Sequence, residues 1–231
     1  MKVLFLYPNH EGYFRCPVGL TLIMTVVENA GHDVKLFDTT FMNSDDNMDN
    51  SKREEAGLVK PVTLDNYFNK KSTTEIESDW IKFVEDFQPD LIATTIVEDA
   101  YTYAHRLLGL AKSTCNVPVV VGGSMPTVVP RVMIENPNID YLVEGEGEVA
   151  FKELIDALIK DGDVSQVPNL WYQEDGITKN TGLVKYLDMD EIPFQKLDFW
   201  DDKHFTKPYD GELRNTGFFE GSRGCMHKCH Y

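Results

Sequence analysis

The amino-acid sequence predicts a doubly wound α/β fold built on a five-stranded parallel sheet. Short apolar runs alternate along the chain with longer segments that carry apolar residues at helical spacing. The short runs are nearly continuous in hydrophobicity, as in strands that are buried on both faces of a parallel sheet. With 231 residues and a hydrophobic content of 42%, the chain is long enough for one large domain and a smaller appendage.

The first strand is predicted over Val3 to Tyr7, an apolar run that ends at Pro8. A helix is predicted from Pro17 to Ala30, because proline suits a first helical turn and apolar residues then recur at helical spacing. Gly31 is a natural stop for this helix. The second strand, Asp33 to Asp38, alternates between polar and apolar residues.

The same unit recurs along the next hundred residues. Three further strands are predicted at residues 90–96, 117–121 and 139–143, and helices at residues 75–87, 101–112 and 126–135. After the last strand, one apolar helix face is formed by Phe151, Leu154, Ile155, Leu158 and Ile159. Such alternation implies right-handed crossovers and a flavodoxin-like (Rossmann-like) sheet, which binds ligands at the carboxyl ends of its strands.

Two regions depart from this pattern. Residues 43–74, rich in Asn, Asp, Lys and Ser, are predicted to form a lid or a solvated surface loop. Beyond Pro168, two short runs flank Asp175-Gly176 and predict a β-hairpin. We therefore predict a ligand-binding domain over residues 1–165, a hairpin and linker over residues 166–212, and the start of a further domain over residues 213–231.

Charge and cysteine content restrict the partners and the compartment. The formal net charge of -16 would repel nucleic acid and an anionic membrane surface. No apolar run has the length of a signal peptide core or of a membrane span. The four cysteines do not resemble a disulfide framework, which predicts a reducing, cytoplasmic location.

The strand ends argue against two common occupants of such a fold. A dinucleotide site needs a glycine-rich turn after the first strand, whereas residues 7–12 carry a single glycine. A phosphorylated receiver domain needs carboxylates at the ends of the first and third strands, to hold a cation. Those positions are occupied by Tyr7 and by Thr94 and Thr95.

Small and hydroxyl-bearing residues follow three of the predicted strands instead. Glycines at such places let a bulky ligand approach the backbone, because no Cβ intervenes; ordinary strand-to-helix turns are the alternative explanation. The candidate binding residues are Asn9, Thr94, Thr95, Ile96, Gly122, Gly123, Ser124, Pro126, Glu144, Gly145, Glu146 and Gly147.

Five segments together resemble the B12-binding domain of cobalamin-dependent radical S-adenosylmethionine (radical SAM) proteins, and the resemblance covers almost the whole chain. The segments are residues 17–20 (PVGL), 28–34 (ENAGHDV), 122–127 (GGSMPT), 138–148 (NIDYLVEGEGE) and 188–194 (DMDEIPF). The resemblance implies that cobalamin lies across the carboxyl edge of the sheet. Its nucleotide tail would run down between strands near Thr94 to Ile96 and Gly122-Gly123, where hydroxyls and backbone amides hold it.

The chain departs from the better-known cobalamin domains in the loop after the first strand. Those domains carry Asp-x-His-x-x-Gly there, and the histidine replaces the nucleotide base as the lower ligand of cobalt. His10 lies in this loop without the aspartate. We expect His10 to be an ordinary loop histidine, since the radical SAM branch usually lacks the motif.

A cysteine pair near the C-terminal end adds a second resemblance. Radical SAM enzymes hold a [4Fe-4S] cluster with Cys-x3-Cys-x-aromatic-Cys, and Cys225, Cys229 and Tyr231 match its first part. The third cysteine would be the residue after Tyr231. The resemblance also implies that residues 216–219 begin the catalytic barrel. The alternatives are a zinc or nickel site that includes His227 and His230, or a pair of cysteines with no metal-binding role.

The resemblance implies that the longer protein is a radical SAM enzyme, with a methyltransferase as the leading expectation. Its cofactors would be cobalamin, a [4Fe-4S] cluster and S-adenosylmethionine, and its electron donor a flavodoxin or a ferredoxin. The 231 residues alone are expected to be inactive. A stand-alone cobalamin carrier or sensor is the alternative, although such a protein has no use for Cys225 and Cys229. A flavodoxin-like domain with another ligand, or with none, is a third.

Overall fold

The computed structural model describes residues 1–9, 15–42, 54–62, 64, 67–160, 163–182, 188–224 and 227. The strands in these ranges are β1 (Lys2–Tyr7), β2 (Asp33–Asp38), β3 (Leu91–Thr95), β4 (Val119–Gly122), β5 (Tyr141–Val143), β6 (Leu170–Glu174), β7 (Ile177–Asn180), β8 (Thr206–Tyr209) and β9 (Glu212–Asn215). The helices are α1 (Val18–Asn29), α2 (Thr73–Phe87), α3 (Tyr101–Thr114), α4 (Ser124–Val128), α5 (Pro130–Ile134) and α6 (Glu148–Ile159).

Seven strands form one sheet in the order β2-β1-β3-β4-β5-β6-β7. The first five strands pair in parallel, and β6 and β7 continue the sheet in antiparallel pairing. A parallel order of 2-1-3-4-5 is that of the flavodoxin-like fold, so the predicted fold class is confirmed. The predicted hairpin is present, and it extends the parallel sheet rather than standing apart from it.

Helices cover both faces of the sheet, because the central strands are apolar on both sides. In β1, Leu4 and Leu6 pack into the cluster formed with α2 and α3, whereas Phe5 packs into the cluster formed with α1 and α6. On the first face, the indole Nε1 of Trp80 donates a hydrogen bond to the carbonyl oxygen of Leu107 at 2.8 Å, which ties α2 to α3.

The predicted helix over residues 126–135 is wrong as a single element. Two short helices, α4 and α5, meet at Val129, whose backbone is not helical (φ -131°, ψ 52°). Pro130 explains the break, since proline lacks an N–H donor and disfavours the helical conformation of the residue before it. The break turns the chain beside the carboxyl ends of β4 and β5.

The barrel strand expected at residues 216–219 is not present. Among the described C-terminal residues, residues 216–223 belong to no strand. The last described hairpin is β8–β9, and within the described residues these two strands pair only with each other. A strand needs a neighbour for its backbone donors and acceptors. The β8–β9 turn contains Asp210-Gly211, both at positive φ, as does the turn at Asp175-Gly176 in the first hairpin.

The predicted linker is fixed against α1 by polar contacts. The amide of Lys196 donates to Thr25 Oγ1 at 2.9 Å, and the indole of Trp200 donates to Thr21 Oγ1 at 3.0 Å. Further along, His204 Nε2 lies 2.6 Å from the Asp38 carboxylate at the end of β2. Trp200 and His204 are 5% and 0% exposed, so this segment contributes to the core. The domain boundaries themselves stay a prediction.

The predicted lid is described only in part. Residues 43–53, 63, 65 and 66 lie outside the described residues. Within residues 54–62, Lys60 forms an ion pair with Asp210 of the β8–β9 turn. The helices that the structure describes include none that is long and apolar enough to cross a membrane.

Candidate functional site

A cavity of about 350 Å³ lies at the carboxyl ends of β3, β4 and β5, between the sheet and helices α1 and α6. We call it the main cavity. Strand residues form its floor, and the loops after the three strands form its rim, the place where such sheets bind ligands. It is lined by Phe5, Gly19, Leu20, Ile23, Ala93, Thr94, Thr95, Val120, Val121, Gly122, Gly123, Val143, Gly145, Glu146, Gly147, Glu148, Phe151, Glu220, Arg223 and Gly224.

Gly122 leaves space that a larger residue would fill. Side chains alternate along a strand, so position 122 shares the face of Val120, which packs with Phe5 and Phe151. The two phenylalanine rings stack with their centroids 5.6 Å apart. A Cβ added to Gly122 would meet nothing closer than the carbonyl oxygen of Val143, at 3.8 Å. A side chain at this position would therefore project into the main cavity without disturbing its walls.

Gly123 is required for a different reason. It has a φ of 108°, and a Cβ there would lie 2.6 Å from Thr95 Oγ1 and 2.8 Å from the carbonyl oxygen of Ile96. At Gly147, a Cβ would lie 2.8 Å from Ile23 Cδ1, the flexible end of a side chain that can move aside. Gly123 therefore lets the loop after β4 approach the end of β3. The loops that form the rim are consequently closely packed.

Seven of the twelve candidate residues line the main cavity: Thr94, Thr95, Gly122, Gly123, Gly145, Glu146 and Gly147. Four others lie around it. Ile96 and Pro126 are buried, Ser124 begins α4, and the carboxylate of Glu144 accepts a hydrogen bond from Trp171 Nε1 at 2.6 Å. A cofactor-binding role for these twelve residues stays a prediction.

Asn9, the remaining candidate, lines a second cavity of about 560 Å³. Thr95 lines both cavities and so separates them. The side-chain amide of Asn9 donates to Thr40 Oγ1 at 3.1 Å. Burial, followed by the nearby Asp38, raises the pKa of the Cys16 thiol to about 12, so this thiol in the cavity wall is protonated at neutral pH. The polar and charged residues on the walls include Tyr7, Asn9, Arg15, Thr95 and Asp99.

An arginine and three carboxylates lie on the rim of the main cavity, and the arginine was not predicted from the sequence. Arg223 contacts Glu148, donates from Nε to Glu220 at 2.9 Å, and lies 3.6 Å from Glu146. The hydrogen bond with Glu148 is the main cause of a raised Arg223 pKa. No sequence pattern predicts this contact, because Arg223 and Glu148 are 75 residues apart in the chain.

The predicted cysteine ligands and His10 cannot be placed in this site. Cys225, Cys229, Tyr231 and His10 lie outside the described residues. In the described ranges, no group of three or more His, Cys, Asp or Glu side chains is arranged to hold a metal ion. Metal binding by the cysteine pair therefore stays a prediction.

Comparison with known families identifies the domain. Residues 62–155, which run from the segment before α2 to α6 and include β3, β4 and β5, match the family described as B12 binding domain. The chain contains a B12-binding domain. The rim loops of the main cavity that follow these strands belong to this B12-binding domain, and the match supports the predicted cobalamin cofactor.

Relatives match the whole chain, and the chain spans less than half of their length. It is 30% identical over 239 residues to the uncharacterized methyltransferase PH0819 of Pyrococcus horikoshii, covering 99% of this chain and 44% of the relative. It is 26% identical to the anaerobic magnesium-protoporphyrin IX monomethyl ester cyclase of Synechocystis sp., covering 100% of this chain and 42% of that protein. The relatives of this B12-binding domain thus include both a methyltransferase and a cyclase.

Solved structures share the fold. OxsB, a cobalamin-dependent S-adenosylmethionine radical enzyme with aqua-cobalamin and S-adenosylmethionine bound, matches with a TM-score of 0.64 at 19% identity, covering 85% of this chain and 24% of OxsB. TsrM from Kitasatospora setae, a radical S-adenosylmethionine methyltransferase with cobalamin and a [4Fe-4S] cluster bound, matches with a TM-score of 0.59 at 19% identity, covering 84% and 31%. The B12-binding domain therefore has the fold found in cobalamin-dependent radical SAM enzymes.

Proposed function

We propose that this chain binds cobalamin with the nucleotide tail in the main cavity and the corrin ring over the carboxyl edge of the sheet. The observation that carries the proposal is the glycine-lined cavity of about 350 Å³ at the strand ends of a B12-binding domain. Small-molecule pockets have volumes of about 300–1,000 Å³, so a cavity of this size accommodates a ligand segment as large as the tail.

The walls of the main cavity fit the parts of a nucleotide tail. Phe5, Val120 and Phe151 offer an apolar floor for a flat bicyclic base, and Gly122 lets that base approach the backbone of β4. Thr95, at the end of β3, lies opposite Gly122 on the face of Ala93, so its hydroxyl is available at the rim for polar groups of the tail. This division into an apolar interior and a polar rim is what binding of an amphipathic ligand requires.

The second cavity gives the corrin ring a place beside the tail. It adjoins the main cavity at Thr95, and its walls include Asn9 and Arg15, whose side chains carry N–H groups of the kind that the amide carbonyls at the edge of the ring would accept from. Cobalamin bound there would supply a cobalt ion able to carry a methyl group. The residues of this chain would bind the ring, orient it, and hold the tail away from the cobalt.

For the longer protein we infer a radical SAM enzyme that uses a [4Fe-4S] cluster and S-adenosylmethionine, with Cys225 and Cys229 as two of three cluster ligands. The methyltransferase PH0819 supports methyl transfer as the leading activity. The cyclase relative supports a different radical reaction as the second candidate. The motif predicts that the gene encodes a cysteine directly after Tyr231; another residue there would contradict the radical SAM assignment.

The proposed iron–sulfur cluster indicates the compartment and the electron donor of the longer protein. A cluster held by thiolates requires a reducing compartment, so we propose the cytoplasm, with a flavodoxin or a ferredoxin as the electron donor. A stand-alone cobalamin carrier or sensor is the alternative function. That alternative leaves the cysteine pair without a role.

A comparison of cobalamin with cobinamide tests the binding mode. Cobinamide contains the corrin ring and lacks the nucleotide tail, so it cannot fill the main cavity. We expect the chain to bind hydroxocobalamin at least about tenfold more tightly than cobinamide, the loss that about 1.4 kcal/mol of tail binding produces. Equilibrium dialysis with absorbance detection measures both dissociation constants. Equal affinities would contradict tail binding, and no binding of either compound would contradict the proposed function.

A further inference from the structure

The segment that leads to Cys225 forms part of the wall of the main cavity. Glu220, Arg223 and Gly224 line the main cavity, and Phe218, slightly earlier in the same segment, lines the second one. The carbonyl oxygen of Phe218 accepts a hydrogen bond from the side chain of Gln195, which anchors the segment to the chain that packs on α1. The same stretch of backbone thus closes the cofactor site and precedes the cysteine pair in sequence.

Arg223 attaches this segment to the B12-binding domain. Its guanidinium contacts Glu148 at the start of α6, and the side chains of Arg223 and Glu148 are only 15% and 4% exposed. A carboxylate as buried as that of Glu148 is strongly disfavoured without a cationic partner. Glu220 and Glu146 occupy further sides of the guanidinium, which holds the arginine in one orientation.

The side chain of Arg223 lines the main cavity and does not occupy it. The cavity has its volume of about 350 Å³ with the arginine side chain in place, and this volume is already within the range of ligand pockets. A ligand of that size therefore fits with Arg223 in its present position. It would gain contact with the 220–224 segment.

We propose that Arg223 is a positioning residue that couples cobalamin binding to docking of the segment before the cysteine pair. Occupation of the main cavity would stabilise the Arg223–Glu148 contact, and the contact would in turn tighten cobalamin binding, because coupling between two binding events is reciprocal. The inference rests on the proposed function. It adds that the Arg223–Glu148 ion pair links the cobalamin site to the segment before the cysteine pair.

Affinity measurements on variants test the first half of the coupling. We expect R223M and E148Q to weaken hydroxocobalamin binding by about 5- to 150-fold, the usual range of such couplings, and R223K to retain an intermediate affinity because it keeps the charge without the fork-shaped guanidinium. R214M is the matched control, since Arg214 pairs with Glu212 on the exposed β8–β9 hairpin. Urea unfolding of each variant shows whether it is folded before its affinity is compared.

Tryptic cleavage tests the second half. Trypsin cuts after Arg223 only when the side chain leaves Glu148, whereas Arg214 is 54% exposed and serves as a reference within the same chain. We expect saturating hydroxocobalamin to slow cleavage after Arg223 about tenfold or more relative to cleavage after Arg214. In E148Q the cleavage should be fast with and without cobalamin.

The outcomes separate the two proposals. A parent chain that does not bind cobalamin overturns the proposed function and the coupling with it. If the parent chain binds cobalamin and R223M binds it equally well, the coupling alone is overturned. Faster cleavage after Arg223 in the presence of cobalamin would mean that the ligand displaces the arginine and would likewise overturn the coupling.

Discussion

Replacement of Gly122 by leucine is expected to weaken cobalamin binding severely while the chain stays folded. The leucine side chain would project into the main cavity beside Val120 and take the place of the nucleotide base. The backbone accepts a side chain here, because an added Cβ lies 3.8 Å from its nearest neighbour, an ordinary contact distance. The dissociation constant for hydroxocobalamin should rise by about 100-fold or more, equivalent to roughly 2.7 kcal/mol.

The matched control for this variant is Gly122→Ala. One methyl group removes little of the cavity, so we expect the affinity of this variant to change by less than about tenfold, or roughly 1.4 kcal/mol. Gly123→Ala is unsuitable as a control, since the φ of 108° and the 2.6 Å approach to Thr95 Oγ1 would strain the loop itself. Equal binding by the leucine variant and the parent chain would mean that the tail lies elsewhere.

Replacement of Trp200 by alanine is expected to lower the free energy of unfolding by about 3–5 kcal/mol, as for other buried tryptophans. The ring is 5% exposed and packs edge-on against Tyr7, with the centroids 5.3 Å apart. Its Nε1 donates to Thr21 Oγ1 at 3.0 Å, so the variant would also leave this hydroxyl of α1 without its donor. Urea unfolding followed by circular dichroism measures the change.

Phe194→Ala is the matched control for the tryptophan variant. Phe194 lies on the same segment and is 98% exposed, so its loss should change the free energy of unfolding by less than about 0.5 kcal/mol. A Trp200→Ala variant as stable as the parent chain would contradict a core role for Trp200. The large loss that we expect would instead make this segment a part of the cofactor domain.

The sheet could be predicted from the sequence because its determinants are local. Apolar runs such as Val3 to Tyr7 identify buried strands, and the helices between them impose parallel crossovers. The β8–β9 hairpin carried a local signal as well, Asp210-Gly211, which resembles the turn at Asp175-Gly176. The turn at Asp175-Gly176 was predicted from this signal, whereas the β8–β9 hairpin was not predicted.

Part of the site could be predicted, because small and hydroxyl-bearing residues at strand ends mark the edge where such a sheet binds ligands. Gly122 and Gly123 are recognisable because a side chain would fill the cavity or strain the loop. The contact between Arg223 and Glu148 depends on the path of the chain through space, and so does the packing of Trp200 on α1. Contacts between residues this far apart in sequence leave no spacing pattern to read.

The central claim is that the nucleotide tail lies in the main cavity. It is tested most directly by measuring whether the base of the bound cofactor is attached to cobalt. Cob(II)alamin that carries ¹⁵N in its benzimidazole reports a base bound to cobalt through the nitrogen coupling in its electron paramagnetic resonance spectrum. If the base lies in the main cavity beside Gly122, the bound cofactor will show no ¹⁵N coupling. Coupling to ¹⁴N would mean that a nitrogen of the protein ligates the cobalt in place of the base. A ¹⁵N coupling would mean that the base remains on the cobalt, and it would contradict the account.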